Sequence, residues 1–256
     1  MELAVPAIES APPPPLPGAR SVVRDAALDL LAALGTMAAL GFALVAAAVI
    51  TGFWDFGNLQ REMLSLPGIV LMLLSVQAPL ALYGWRRLRR RRAQGRPAPA
   101  LFAGDSARAI PRGIAAGFLL SLVSGLYSFA IQKVLGEDAI PQQLEFLEQL
   151  RDDRGALVML ALIIAGVAPV CEEFFFRGVI FGSARAIGQA RAGAAVSAVL
   201  FAIVHFSVIL APFYATFALV MCWLLVRTGT LAAPIAAHMT MNGMACVALL
   251  LADTTK

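Results

Sequence analysis

The sequence predicts an all-α protein, a polytopic transmembrane helical bundle of seven to eight spans. Of its 256 residues, 60% are hydrophobic and only 14% are charged, and the mean hydropathy is +0.80. Charged residues make up about a quarter of a typical soluble domain. Apolar stretches long enough to cross a hydrocarbon layer of about 30 Å also recur along the chain. These two observations favour an integral membrane protein over a soluble enzyme.

The first part of the chain divides into a tail and a group of spans. Residues 1–24 contain a proline run and no apolar core, and we expect a disordered cytoplasmic tail. Residues 25–155 form the N-terminal transmembrane region. Its apolar stretches are predicted to span the membrane at 28–50, 66–85 and 114–135.

The distribution of charge predicts how the spans are threaded. The net charge is +4, and a run from Arg86 to Arg92 directly after the second span contains six arginines. Loops rich in lysine and arginine stay in the cytoplasm, so this run predicts topology rather than a nucleic-acid site. The loop 136–155 is acidic and fits the outside. The N-terminus is therefore predicted to be cytoplasmic, and the alanine-rich, lysine-poor composition favours a bacterial inner membrane.

The second half, residues 156–252, is predicted to be the functional core, followed by a short tail at 253–256. Its first apolar run covers 156–187, which as one straight helix would measure about 48 Å and exceed the hydrocarbon layer. We expect this run to bend or split near Pro169 or Gly178. Further spans are predicted at 192–210, 212–226 and 231–251.

Two adjacent carboxylates lie inside that long apolar run. Glu172 and Glu173 are the only acidic residues between positions 155 and 252. An ionisable group within a membrane costs roughly 2.5–3.5 kcal/mol on insertion and indicates a functional site. A structural ion pair between Glu173 and Arg177, spaced four apart on one helix face, would account for only one of the carboxylates. Glu172 is left to be explained.

The only two histidines of the chain lie in the same half. Phe201 and His205 are four residues apart, and so are His238 and Asn242, so each pair shares a helix face. A carboxylate beside a neutral imidazole can hold and deprotonate a water molecule. A histidine and an asparagine on one face can donate hydrogen bonds to a developing oxyanion. This machinery suffices for amide hydrolysis without a serine or cysteine nucleophile.

The three motifs, in this order on hydrophobic segments, resemble the CPBP family. This family comprises intramembrane glutamic endopeptidases related to the CAAX prenyl protease Rce1 and is also called the Abi family. The resemblance covers about 156–251 and implies an all-helical membrane protease. It implies that Glu172 and His205 activate the water, that His238 and Asn242 stabilise the oxyanion, and that Glu173 and Arg177 support the site.

The expected partners are the lipid bilayer and a membrane-associated protein or peptide substrate, which could carry a lipid, and no nucleic acid. No cofactor is expected. The alternative is zinc held by Glu172, His205 and His238, a plausible ligand set, although the sequence has no H-E-x-x-H motif. Two functions without proteolysis also stay open: a membrane scaffold or bacteriocin-immunity protein, and a proton-relay transporter.

Overall fold

The computed structural model describes residues 19–58, 65–95, 98–100, 106–136, 139 and 154–253, and within them the protein is a helical bundle without strands longer than an isolated bridge. The expected all-α membrane fold is confirmed. In this described part, seven helices longer than one turn follow one another: α1 (Ala19–Ile50), α2 (Leu66–Ala93), α3 (Ser106–Leu135), α4 (154–186), α5 (Ala190–Ile203), α6 (Ala211–Thr228) and α7 (Ala232–Asp253).

Five of the described helices are long and apolar enough to cross a membrane: α1, α2, α3, α4 and α6. Helices α1 to α3 are longer than the predicted spans because arginine-bearing turns continue each helix past the apolar stretch. Residues 1–18 of the predicted tail and most of the acidic loop lie outside the described residues, whereas residues 19–24, predicted to belong to the disordered tail, form the start of α1.

Helix α4 is one helix with two π segments, at Ile163–Val167 and Phe174–Phe181. The expected split is absent, because helical residues continue without interruption from 154 to 186, and the helical turn widens locally at the two π segments. Pro169 lies in the short α-helical piece between the two segments, and Gly178 lies inside the second one. π turns inside α-helices are frequently found at functional sites. Here the second one begins directly after the two carboxylates.

Helices α2 and α4 pack in parallel along their whole length. Near their starts Ile69 packs with Ala156 and Leu160 in one buried cluster. Further along, a Cβ atom placed on Gly84 would lie 3.3 Å from Cβ of Phe174, and one placed on Gly178 would lie 3.1 Å from Leu88. Because glycine has no side chain, the helices can approach each other closely at these two positions. At Gly178 the neighbouring side chain is that of Leu88.

Helices α3 and α7 make the closest crossing in the described bundle. A Cβ atom on Gly113 would lie 2.2 Å from the carbonyl oxygen of Ala233, and one on Gly117 would lie 2.5 Å from that of Ala237. Two glycines four residues apart thus bring α3 onto the backbone of α7, as in other small-residue membrane crossings. The contact continues past His238, because a Cβ atom on Gly117 would also lie 2.6 Å from Cβ of Thr240.

A polar cluster joins α1 to α2. Asp29 is buried. Its carboxylate accepts a hydrogen bond of 2.5 Å from the Tyr83 hydroxyl and forms an ion pair of 2.9 Å with Arg87. The ring of Tyr83 lies 5.9 Å from that of Phe175 on α4. The cluster therefore ties the first two helices together directly behind the carboxylate-bearing helix.

Helix α5 is shorter than predicted. It ends at Ile203 after 14 residues, where a span reaching residue 210 was expected. Residues 204–210 form a turn in which Phe206 adopts a φ of 50°, and the Ser207 hydroxyl accepts a hydrogen bond from the Leu210 amide. Pro212 then occupies the first turn of α6, where its missing amide costs nothing. These local signals end the helix early.

Candidate active site

Glu173 is at the centre of a buried polar cluster. Its Oε1 atom lies 3.1 Å from Nη1 of Arg177 and accepts a hydrogen bond of 2.9 Å from Nδ1 of His238. The side chains of Glu173 and Arg177 are completely buried, and that of His238 is 4% exposed. The ion pair expected from the four-residue spacing is present. His238 on α7 adds a third group to this pair.

Glu172 faces the other nitrogen of the same histidine. Its Oε2 atom lies 3.9 Å from Nε2 of His238, and its side chain is 18% exposed. A helical neighbour points about 100° away, so two adjacent carboxylates can reach the two nitrogens of one ring only if that ring lies between them. His238 occupies this position. Glu172, for which the sequence predicted no partner, is thus the more accessible of the two carboxylates.

Arg177 is enclosed by aromatic rings. Its guanidinium carbon lies 4.5 Å from the ring centre of Phe201, 5.7 Å from that of Phe217 and 5.9 Å from that of Phe176. A cation over an aromatic face is attracted by the negative face of the ring, and the attraction grows when water is excluded. The rings and Glu173 together therefore stabilise a charge that is costly to bury.

His205 is held by its own backbone and by a stacked ring. Its Nδ1 atom lies 2.6 Å from the carbonyl oxygen of Phe201, and its ring stacks on Tyr214 at 4.1 Å. Because a carbonyl oxygen only accepts hydrogen bonds, Nδ1 carries the proton and Nε2 of a neutral ring has a free lone pair. The imidazole is fixed in the form that can accept a proton.

Asn242 follows His238 by one turn of α7 and binds α4. Its amide nitrogen donates a hydrogen bond of 2.9 Å to the carbonyl oxygen of Ile164, which lies in the first π segment. A π turn displaces the carbonyl groups from the regular ladder, so one of them is accessible to a side chain. The amide plane of Asn242 is fixed as a result.

The structure brings some of the predicted site residues together directly and others only through Phe201. His238 contacts both glutamates, and Asn242 reaches α4. The Phe201 ring lies 4.5 Å from His205 and 6.0 Å from His238, between the two imidazoles. Among the described contacts, no hydrogen bond or ion pair joins His205 to Glu172.

The alternative zinc set is not assembled in the described part of the chain. No group of three histidine, cysteine or acidic side chains there lies close enough to hold a metal ion. Nδ1 of His205 is bound to the carbonyl oxygen of Phe201, and Oε2 of Glu172 lies 3.9 Å from Nε2 of His238.

Sequence reasoning missed the residues that support the histidines. Both are on α6: the ring of Phe217 lies 4.8 Å from that of His238, and the ring of Tyr214 lies 4.1 Å from that of His205. Nothing in an apolar helix marks such rings as special. The spacing of Gly113 and Gly117 is a recognisable signal for the α3–α7 crossing.

One protein family matches the chain. It is described as Type II CAAX prenyl endopeptidase Rce1-like, and the match covers residues 154–244. This range extends from the start of α4 to two residues beyond Asn242 and includes all three motifs. Neither the curated proteins nor the solved structures contain a significant match.

Proposed function

Because residues 154–244 match the Rce1-like family of type II CAAX prenyl endopeptidases, we propose that the protein cleaves membrane-associated substrates as a glutamic protease. The protein is a CAAX-protease-like hydrolase of the membrane. The proposal concerns its chemistry: water activated by Glu172 and His205, with an oxyanion site formed by His238 and Asn242.

The division of labour between the two carboxylates supports this chemistry best. Oε1 of Glu173 is engaged by both Arg177 and His238, and the side chain is closed to substrate and water. Glu172 is partly exposed and makes no closer contact than 3.9 Å with His238. A general base must reach the water that it deprotonates. Glu172 meets this requirement and Glu173 does not.

In the proposed reaction, Glu172 removes a proton from a water molecule that also donates a hydrogen bond to Nε2 of His205. The resulting hydroxide attacks the carbonyl carbon of the scissile bond and forms a tetrahedral oxyanion. The proton held by Glu172 then passes to the departing amine nitrogen, the C–N bond breaks, and the carboxylate is restored. No covalent enzyme intermediate is formed, so a nucleophilic side chain is not required.

His238 serves the oxyanion as a doubly protonated ring. Its Nδ1–H is donated to Glu173, so a second proton on Nε2 is needed for donation to substrate. Asn242 adds its second amide N–H, the first being bound to Ile164. Donors fixed before the reaction act without a reorganisation cost.

The decisive experiment compares new protein termini in membranes of the host between wild type and Glu172→Gln at matched expression. Glu172→Gln keeps the shape and removes the base, so termini that depend on wild type should vanish. Asp25→Asn, an exposed carboxylate of α1, is the matched control and should preserve them. Identical termini in wild type and a folded, inserted Glu172→Gln would overturn the proposal and favour a scaffold or relay function.

A chelator arm on the same membranes separates the glutamate chemistry from the zinc alternative. Under the proposal, cleavage continues after chelation and purified protein binds no stoichiometric zinc. Loss of cleavage on chelation, restored by added zinc, would instead assign Glu172, His205 and His238 as ligands.

We also propose a cytoplasmic position for the arginine-rich end of the bundle, in a bacterial inner membrane. Helices α2 and α4 both run toward this end, which carries Arg91 and Arg185, and Arg191 and Arg227 begin α5 and end α6 there. Reporter fusions at residue 95 and at the N-terminus should both be cytoplasmic. The division into tail, N-terminal spans and a core at 156–252 stays a prediction.

A further inference from the structure

In the hairpin formed by α5 and α6, helix α5 alone is too short to cross the membrane. Arg191 at the start of α5 and Arg227 near the end of α6 are at its base, and α5 ends at Ile203. The 14 residues of α5 extend about 21 Å, against a hydrocarbon layer of about 30 Å. Helix α6 is longer: its 18 residues extend about 27 Å, and it is apolar enough to cross a membrane by itself. The depth of the turn at 204–210 therefore has to be read from a neighbouring helix.

Helix α3 gives an independent measure of where the turn lies. The Tyr127 hydroxyl donates a hydrogen bond of 2.7 Å to the carbonyl oxygen of Ile209 in the turn. Helix α3 continues for eight residues beyond Tyr127, which is about 12 Å, and ends at Leu135. Apolar side chains stay exposed on that continuation, among them Phe129 and Val134. Gln132 and Lys133 are exposed near the end of the helix, so hydrocarbon extends beyond the level of the turn by about the five residues, roughly 7.5 Å, that separate Tyr127 from Gln132.

The polar groups of the turn are bonded as an apolar medium requires. Besides the carbonyl oxygen bound by Tyr127, the Leu210 amide donates to Ser207 and the Phe206 amide donates to the carbonyl oxygen of Ile203. Irregular backbone is tolerated at membrane depth only where protein satisfies its polar groups. A turn in water has no need of a hydroxyl from another helix.

The side chains at the tip are apolar and almost fully exposed, with Phe206 at 92% and Val208 at 91%. From these observations we propose that the α5–α6 hairpin is re-entrant: its tip ends inside the bilayer, where Phe206 and Val208 contact lipid acyl chains. The inference goes beyond the proposed function, because it holds whether or not the protein is a protease.

The re-entrant tip determines what meets His205. This histidine directly precedes Phe206, so lipid acyl chains are its neighbours on the side away from the bundle. A lipid anchor or membrane segment moving in the bilayer plane reaches it without first crossing an aqueous loop. The left-handed φ of 50° at Phe206, unusual for a non-glycine residue, turns the phenyl ring outward while Nδ1 of His205 stays bound to Phe201.

The test places a nitroxide spin label on Val208→Cys in lipid vesicles, in a chain whose three native cysteines are replaced by alanine. Collision rates with oxygen, which concentrates in hydrocarbon, and with a water-soluble nickel chelate give the depth. Leu122→Cys, exposed on α3 at mid-span, is the hydrocarbon control, and Asn58→Cys, in the exposed turn after α1, is the water control. We expect the oxygen-to-nickel ratio of Val208→Cys to equal that of Leu122→Cys. A ratio equal to that of Asn58→Cys would overturn the proposal.

A second measurement keeps the native cysteines and so does not depend on the replaced chain. Phe206 is exchanged for benzoylphenylalanine, and the protein is irradiated in membranes. Lipid adducts on this residue would support the proposal. Adducts confined to a second copy of the chain or to another protein would show a protein-covered tip, and absence of lipid adducts would contradict the re-entrant hairpin.

Discussion

One carboxylate oxygen, Oε1 of Glu173, binds both Arg177 on its own helix and His238 on α7, at 3.1 and 2.9 Å. His238 lies 65 residues further along the chain. A local ion pair and a long-range hydrogen bond therefore depend on the same atom, and neither can be altered alone.

Breaking the buried pair should destabilise the protein more than removing both charges. Arg177→Met leaves Glu173 as an uncompensated buried charge, and such losses amount to about 3–5 kcal/mol. Glu173→Gln combined with Arg177→Met should recover part of this, because no unpaired charge is left. Thermal unfolding of the purified variants measures the difference. Strictly additive losses in the two single and the double variant would show that the groups do not interact.

The α3–α7 crossing should tolerate no side chain at Gly117. Gly117→Ala puts a methyl group where the Ala237 carbonyl oxygen and the Thr240 side chain lie at 2.5 and 2.6 Å, so the helices must separate beside His238. We expect a lower unfolding temperature and a loss of turnover. Gly125→Ala on the same helix is the matched control, since its Cβ would meet nothing within 4 Å. Equal behaviour of both variants would contradict the close crossing.

Asp29 should contribute to stability in a way that Asp25 does not. Asp29→Asn weakens two interactions of a buried carboxylate, and losses of about 1–3 kcal/mol are typical when a buried polar group loses its partners. Asp25→Asn on the same helix affects only an exposed pair with Arg24. Unfolding in increasing denaturing detergent compares the two. The Asp29 effect should disappear in a Tyr83→Phe, Arg87→Met background, and its persistence there would assign it to another cause.

The three cysteines should react in a fixed order. Cys171 and Cys222 are buried and Cys246 is half-buried, so a small lipid-permeant maleimide should label Cys246 first in folded protein. All three should react after denaturation. Peptide mass spectrometry assigns each site, and early labelling of Cys171 would show that the α4 environment is more open than the packing indicates.

Much of the site follows from sequence because each motif spans a single helical turn. Four-residue spacing predicts that Glu173 meets Arg177 and that Asn242 lies beside His238, and the structure has both arrangements. Spacing cannot predict which element lies opposite. That His238 enters between Glu172 and Glu173 depends on the α3–α7 crossing, which in turn depends on two glycines outside the family match.

The fold was predictable to the level of apolar segments and no further. Hydropathy does not distinguish α5, which stops at Ile203, from a helix that continues to residue 210, because the turn residues Val204, Phe206 and Val208 are as apolar as the helix. Composition also does not predict π turns, since they depend on the register of the backbone hydrogen bonds. Charge placement, in contrast, predicts helix direction well, and the parallel packing of α2 with α4 agrees with it.

Because Glu173 binds both Arg177 and His238, the order in which these residues are synthesised has a consequence. At about 5–20 residues per second, His238 is synthesised roughly 3–13 s after Glu173, a separation of 65 residues. During that interval α4 exists without α7. Arg177, supplied within the same turn, neutralises Glu173 from the moment the segment is made. The ion pair thus allows the segment to enter lipid before the rest of the cluster exists.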